Sequence, residues 1–439
     1  MQGHEICKAV SGVLIGEKTV AVQGVCTDSR KIYDGCLFVA LRGERFDGNH
    51  FIADAFATGA AAVIGNVPYS PPAGKAYIQV ADTTIALGQL AAWHRNRYSL
   101  PVVGVTGSVG KTTTKEMIAA VLAEKYHTLK TAGNYNNAIG LPLTLFNLTA
   151  AHGAAVIEMG MSNLGEIAYL TKIAKPTVAV ITNIGLCHIE NLKTMENTCR
   201  AKLEIAEGLP KGGTLFVNGD DSMLAKVQLE DVCVMRYGFE NTDNEIRGEI
   251  TGENTFQIDG MTFSVPIGGK HNLYNALAAY CVGKHCGVSA EKVVQGIQKY
   301  QTDGIRQSEI EIRPGITVLC DYYNASPASV KVSLAMLQKG DAKRRIAVLG
   351  DMLELGTYSE RCHREIGREV LFSGTDMLLT VGKEMQYAAE EAAGRIPTKT
   401  FEDNESLSAY LLSVLTTGDK VLIKGSHGMK MEEIFEKIR

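Results

Sequence analysis

Short apolar runs alternate with longer stretches of helical period along most of the chain. Val102-Val103-Gly104-Val105, Ala154-Ala155-Val156-Ile157, Val178-Ala179-Val180-Ile181 and Thr214-Leu215-Phe216-Val217 carry no charge. Strands of this kind belong to a mostly parallel sheet covered on both faces by its crossover helices. The intervening stretches predict helices ending near Tyr126 and Ile173 and a third over 196–209, with a lead-in helix over 85–97.

The pattern changes on either side. The start is richer in turns, with β-like runs over 19–22, 36–41 and 61–64, a helix after Asn49, and a proline-rich connection over 67–74. Beyond about residue 311 the alternation resumes, with strands expected over 316–320, 346–349, 377–380 and 421–423 and helices from Pro327, up to Phe372 and up to Ile438. These shifts predict an α/β chain of three domains, 1–83, 84–311 and 312–439. No fixed-period repeat or low-complexity tract interrupts them.

Composition narrows the class. Of 439 residues, 45% are hydrophobic and 21% charged, enough apolar material for several cores. Basic residues number 44 and acidic ones 48, a net charge of −4, which argues against a nucleic-acid partner. The first ten residues have no apolar h-region, and no stretch reads as a membrane span. Ten cysteines without a C-x-x-C pair argue against a structural zinc cluster and fit a reducing cytoplasm.

The strongest chemical signal is Gly104-Val105-Thr106-Gly107-Ser108-Val109-Gly110-Lys111-Thr112-Thr113, which follows a strand and opens a helix. Glycines let backbone N–H groups turn onto phosphate oxygens, and the helix N-terminus adds positive potential. Gly107, Ser108, Val109, Gly110, Lys111, Thr112 and Thr113 are thus expected to bind ATP, with Lys111 on the β and γ phosphates and Thr112 on Mg2+. The strict pattern wants glycine at position 105, where this chain has Val105. The loop alone suits a motor, a kinase, a GTPase or a ligase.

Parallel sheets gather functional residues at the carboxyl ends of their strands. Glu158 follows one strand and His188 closes the segment after another. Singly each is a weak signal: Glu158 could cap the next helix, and a lone histidine such as His188 is more often a satisfied loop residue than a ligand. Beside a phosphate loop they favour a magnesium site. Lys202 lies at the border of a buried helical face, where a lysine usually snorkels to water.

The chain resembles the Mur ligase family over nearly its whole length. The resemblance rests on Thr27-Asp28-Ser29-Arg30, on Gly35 to Gly48, on Gly133-Asn134-Tyr135-Asn136-Asn137 and on Arg200-Ala201-Lys202-Leu203-Glu204. Gly269-Lys270-His271-Asn272, Asp321-Tyr322-Tyr323-Asn324-Ala325-Ser326-Pro327, Leu349 to Gly356 and Lys424-Gly425-Ser426 complete it. It implies a uridine-nucleotide-binding first domain, a central P-loop ATPase domain and a Rossmann-like C-terminal domain. Within the family the Asp321–Pro327 segment is similar to that of the branch that adds D-Ala-D-Ala. The implied substrates are UDP-MurNAc-tripeptide, D-Ala-D-Ala and ATP, joined through an acyl phosphate by a cytoplasmic monomer.

The same resemblance implies site roles. Ser29, Arg30, Gly43, Asp47, Asn134, Asn136 and Asn137 would bind the UDP substrate. Asn272 and Arg306 would address the base and sugar of ATP, and Asp321 and Asn324 would reach the nucleotide when the domains close. Lys111, Glu158, His188 and Lys202 would be catalytic. Thr112 and Glu158 would hold one Mg2+, and His188 with a carbamylated Lys202 a second. Two departures stand out: Ser326 where the family has Asn, and His427 where it has Arg. Asp351 and Glu354 read equally as catalytic groups or as caps of the following helix. The rival readings are another amino-acid-adding Mur ligase, a folate-type glutamate ligase, or a P-loop switch that hydrolyses ATP without an acceptor.

Overall fold

In the computed structural model, residues 1–43, 46–301 and 306–439 are described; Glu44 and Arg45, inside the uridine-like segment, lie outside them. Four sheets organise the chain: five strands within 13–79, seven within 102–247, a three-stranded antiparallel sheet over 249–264, and six within 308–424.

The central sheet is parallel at every pairing. Val102–Thr106 sits between Val178–Ile181 and Ala154–Glu158, so the carboxyl ends of these three strands are neighbours. All three strands are buried throughout, the burial that their unbroken apolar runs require. Lys111–Ala123 and Lys270–His285 cover one face, and Glu166–Ala174 with Met195–Leu203 cover the other.

The chain departs from expectation in three places, one in each unit. Residues 19–22 form a turn with one isolated bridge, because their backbone secures the first helix: Val20 O accepts from Gly3 N, and Val22 N donates to Met1 O. The edge strand is instead Val13–Gly16, antiparallel to Ala76–Gln79. The boundary expected at 311 falls inside the strand Ser308–Arg313, which pairs antiparallel with Ile316–Cys320 and so belongs to the six-stranded sheet. The helix expected over 196–209 is α-helical only over Met195–Leu203, then tightens into a 3-10 turn over Glu204–Gly208.

The helix Thr83–Arg95 joins two cores. Ala86, Leu87 and Leu90 pack in the core of the first unit, while Ala91 packs in the central one. Among the described residues no helix is long and apolar enough to cross a membrane, and the cysteines are unpaired.

Candidate active site

The phosphate loop follows Val102–Thr106 directly. Val105 is a fully buried strand residue, so the glycines that the turn needs come later. Gly107 has φ +149°, and a Cβ there would lie 1.9 Å from Thr182 Oγ1; Gly110 has φ +84° and caps the helix. The first intrahelical bond is Thr114 N to Gly110 O at 2.8 Å. The N–H groups of Gly110, Lys111, Thr112 and Thr113 therefore have no helical acceptor and are available to an anion. Val109 differs: its N–H donates to Asn183 Oδ1 at 2.9 Å, and its carbonyl accepts from Thr182 Oγ1 and Asn183 Nδ2. It braces the loop and does not offer its N–H outward. Lys111 Nζ lies back over the loop, 2.9 Å from Gly107 O.

Glu158 does not cap a helix. It is 1% exposed, and its carboxylate accepts from Thr112 Oγ1 at 2.9 Å and Asn136 Nδ2 at 2.8 Å. Lys115, one turn after Lys111, is equally buried. Its Nζ reaches Thr131 O at 2.7 Å, Glu116 at 2.9 Å and Glu158 at 3.9 Å. The Lys115 charge offsets the cost of burying Glu158 as a carboxylate.

Lys202 does not snorkel; it is 2% exposed. Burial pulls its ammonium down to about 8; the neighbouring Cys187 opposes that shift and Lys111 adds to it. His188 has φ +52°, and its Nδ1 meets the carboxylate of Glu354 in the third unit. That contact lowers the Glu354 carboxyl below its ordinary value. Neither acid caps the helix Ser359–Phe372: Asp351 Oδ1 accepts from Met385 N at 2.7 Å, and Glu354 meets His188. Among the described residues no cluster of three or more His, Cys, Asp or Glu side chains is poised for a metal.

A cavity of about 450 Å3 joins the central and third units. Lys111, Thr112, Glu158 and His188 line it from one side, and Asp321, Asn324, Lys424 and His427 from the other. The Arg306 guanidinium lies 3.9 Å from the centre of the Tyr323 ring. Asp321 Oδ2 is held by Lys424 Nζ at 2.6 Å, and the same ammonium donates to Asn324 O at 3.0 Å. Asn272 is buried behind the cavity, bonded to Gly268 O, Gln307 and Asn275. Ser326 caps Pro327–Leu337 by accepting from Ser329 N. Asn and Ser are both good caps, so this departure keeps the helix start.

The uridine-side set divides. Asn136 and Asn137 line the central cavity, where Asn137 also caps Gly140–Leu145 through Ile139 N and Gly140 N. Ser29, Arg30, Gly43 and Asp47 do not line it. They follow the carboxyl ends of the adjacent parallel strands Gly24–Cys26 and Cys36–Val39. Arg30 is paired with Asp28 at 2.9 Å, and Asp47 accepts from Asn49 N.

The structure adds Lys115, Thr182 and Asn183, which the sequence does not single out, and gives a role to Lys424, which stands in one of the motifs that carry the family resemblance. Lys115 was detectable, because it lies four residues after Lys111 on one helix face. The bracing by Asn183 carries no local signal.

The parallel sheet, the phosphate loop and a buried carboxylate on the next strand define a P-loop nucleotide enzyme whose cavity is completed by a second α/β unit. Residues 105–283 match the Mur ligase middle domain, 21–95 the Mur ligase family catalytic domain, and 305–427 the Mur ligase glutamate ligase domain. The chain is 39% identical to the UDP-N-acetylmuramoyl-tripeptide–D-alanyl-D-alanine ligase of Bacillus subtilis, covering 99% of this chain and 97% of that protein. It is 35% identical to the ligase of the same name from Escherichia coli, covering 96% and 94%. The crystal structure of MurF from Acinetobacter baumannii superposes with a TM-score of 0.91 at 32% identity, over 100% of this chain and 98% of that one. MurF ligase from Thermotoga maritima, solved in complex with ADP, gives 0.84 at 29%, over 96% and 98%. The chain belongs to the Mur ligase family.

Proposed function

We propose that this chain joins D-Ala-D-Ala to UDP-MurNAc-tripeptide at the expense of ATP, giving UDP-MurNAc-pentapeptide, ADP and phosphate. The observation that carries the reading is the phosphate loop facing Glu158 in a cavity closed by the third unit, together with full-length identity to ligases of this name. The three units divide the work: the first takes the uridine nucleotide, the central one ATP, and the third the acceptor. In this reading the enzyme works as a cytoplasmic monomer.

A carboxylate resists attack because its charge is delocalised. Transfer of the γ-phosphoryl group to the tripeptide carboxylate gives an acyl phosphate with a good leaving group. The D-Ala-D-Ala amine then attacks, and the tetrahedral intermediate expels phosphate. Two anions must first meet. The helix N-terminus at Gly110–Thr113 binds the phosphates, and Lys111, swung off Gly107 O, neutralises the charge that develops on transfer. The hydroxyl of Thr112 and the carboxylate of Glu158 are hard oxygen donors that fit Mg2+; when bound, the ion supplies further charge neutralisation. His188, through Nε2, and a carbamylated Lys202 would hold a second ion. Asp321, Asn324 and Arg306 orient the nucleotide from the far wall, and the third unit excludes water that would hydrolyse the acyl phosphate.

Phosphate release from ATP and Mg2+ tests the reading, with product mass as the second readout. Release that requires both UDP-MurNAc-tripeptide and D-Ala-D-Ala, with a pentapeptide product, is expected. Release with a shorter UDP-peptide and one amino acid would move the enzyme to another ligation step. Release without any acceptor would sink the ligase reading.

A further inference from the structure

The segment from Asn183 to Leu192 touches both halves of the site. At its start, Asn183 braces Val109, and Gly185 N donates to Ser108 Oγ at 2.7 Å. At its end it is seated on the third unit. Ile189 is buried in that unit's core with Leu319, Met352 and Leu355. Glu190 N donates to Glu354 O at 3.1 Å. Gly356 makes room for this approach, since a Cβ there would lie 3.1 Å from Glu190 Cα. Between these anchors His188 Nδ1 meets the Glu354 carboxylate, and both residues hold positive φ, 52° and 61°. Backbone of this kind persists in non-glycine residues only where the surroundings impose it, and it clusters at functional sites.

The Glu354 side chain is 49% exposed, so its contact with His188 adds little to stability. A contact of small energetic worth at such a strained place acts through geometry. A carboxylate on one nitrogen of a ligating histidine fixes the tautomer and aims the other nitrogen. We propose that Glu354 is a positioning residue for the phosphate-loop site: by holding His188 Nδ1 and the 188–190 backbone, it couples docking of the third unit to the arrangement of the ATP-side groups. The ATP side is then fully arranged only while the unit that carries the acceptor wall is docked, which keeps phosphoryl transfer in step with closure.

Only the kinetic arm of the test rests on the ligase reading. Hydrogen exchange across 186–192 is measured on the free protein for wild type, E354A and E354Q, beside kcat and KM for ATP. Removal of the carboxylate should raise exchange in 186–192 and lower kcat about 10–100-fold, the range for losing a group that orients a metal-ligating histidine. KM for ATP should stay within about twofold, because the phosphate loop is untouched. E354Q, which keeps an acceptor oxygen, should recover part of both losses. If E354A does not fold, E354Q must itself show raised exchange and lowered kcat. An E354A kcat within twofold of wild type, or unchanged exchange across 186–192, would overturn the proposal. A wild-type protein that ligates nothing would instead defeat the ligase reading and leave the exchange arm standing.

Discussion

Lys202 shows how one residue changes meaning with its surroundings. On a helical wheel it sits at the edge of an apolar face; in the fold it is buried, and among the described residues it pairs with no carboxylate. With its pKa pulled to about 8, about a tenth of the amine is neutral at pH 7, against well under a thousandth for an ordinary lysine. A neutral amine can add CO2. Carbon-13 from labelled bicarbonate should therefore enter Lys202 increasingly between pH 7 and 9 and be absent from K202R. The stability sign follows from linkage. The folded-state value lies below the unfolded one, 10.5, so between about pH 8 and 10.5 the unfolded chain binds more protons. With bicarbonate excluded, wild-type stability should rise with pH across that window relative to K202M. At pH 7, where the native state bears an unpaired buried charge, K202M should melt higher. Thermal melts of both proteins at pH 7, 8 and 10 check it.

Among the elements, the turns that link the strands are more decisive than the strands. Asp220 follows Thr214–Asn218 and gathers N–H groups from Phe239, Glu240 and Asn241, with the Tyr274 hydroxyl at 2.8 Å. Partial burial pushes its carboxyl up, but those N–H groups and the hydroxyl outweigh it and leave the value at about 2. Its contribution is thus complete above the unfolded value, near 4, and is lost as pH falls towards 2. D220A should lose about 2 kcal/mol at pH 7, the scale of hydrogen bonds to a charged group, and the difference from wild type should shrink across pH 4 to 2. Urea unfolding at pH 7, 4 and 2.5 measures it. The strands around this turn were legible because apolar runs of four to five residues have few alternative placements. The three-stranded sheet over 249–264 was not: Glu249–Gly252 is exposed throughout, the other two strands are short and only partly buried, and Phe256 and Phe263 find their partner only when Lys270–His285 packs over them.

For the molecule, the division of labour makes a spatial prediction. The central cavity draws its walls from the second and third units, while Ser29, Arg30, Gly43 and Asp47 sit at the end of the first sheet. A non-hydrolysable ATP analogue with Mg2+ should slow hydrogen exchange over 107–114 and 321–327 and leave 24–43 unchanged. UDP-MurNAc-tripeptide should protect 24–43. Protection of 24–43 by the ATP analogue alone would mean that the two sites are not separate.

The α/β class, the central parallel sheet and the phosphate loop can be read directly from the chain, because apolar periodicity and a Gly-rich strand–helix junction act over a few neighbouring residues. The Thr112–Glu158 pairing is nearly as legible, since the phosphate loop that carries Thr112 follows, and Glu158 ends, strands that a parallel sheet places side by side. Lys115 against Glu158, Asn183 on Val109, Lys424 on Asp321 and Glu354 on His188 were decided by folding alone. Each joins groups from 43 to 166 residues apart whose local patterns say nothing of each other. Burial gives Lys115, Glu158 and Lys424 their chemistry, and geometry gives Glu354 and His188 theirs; both are properties of the assembled units.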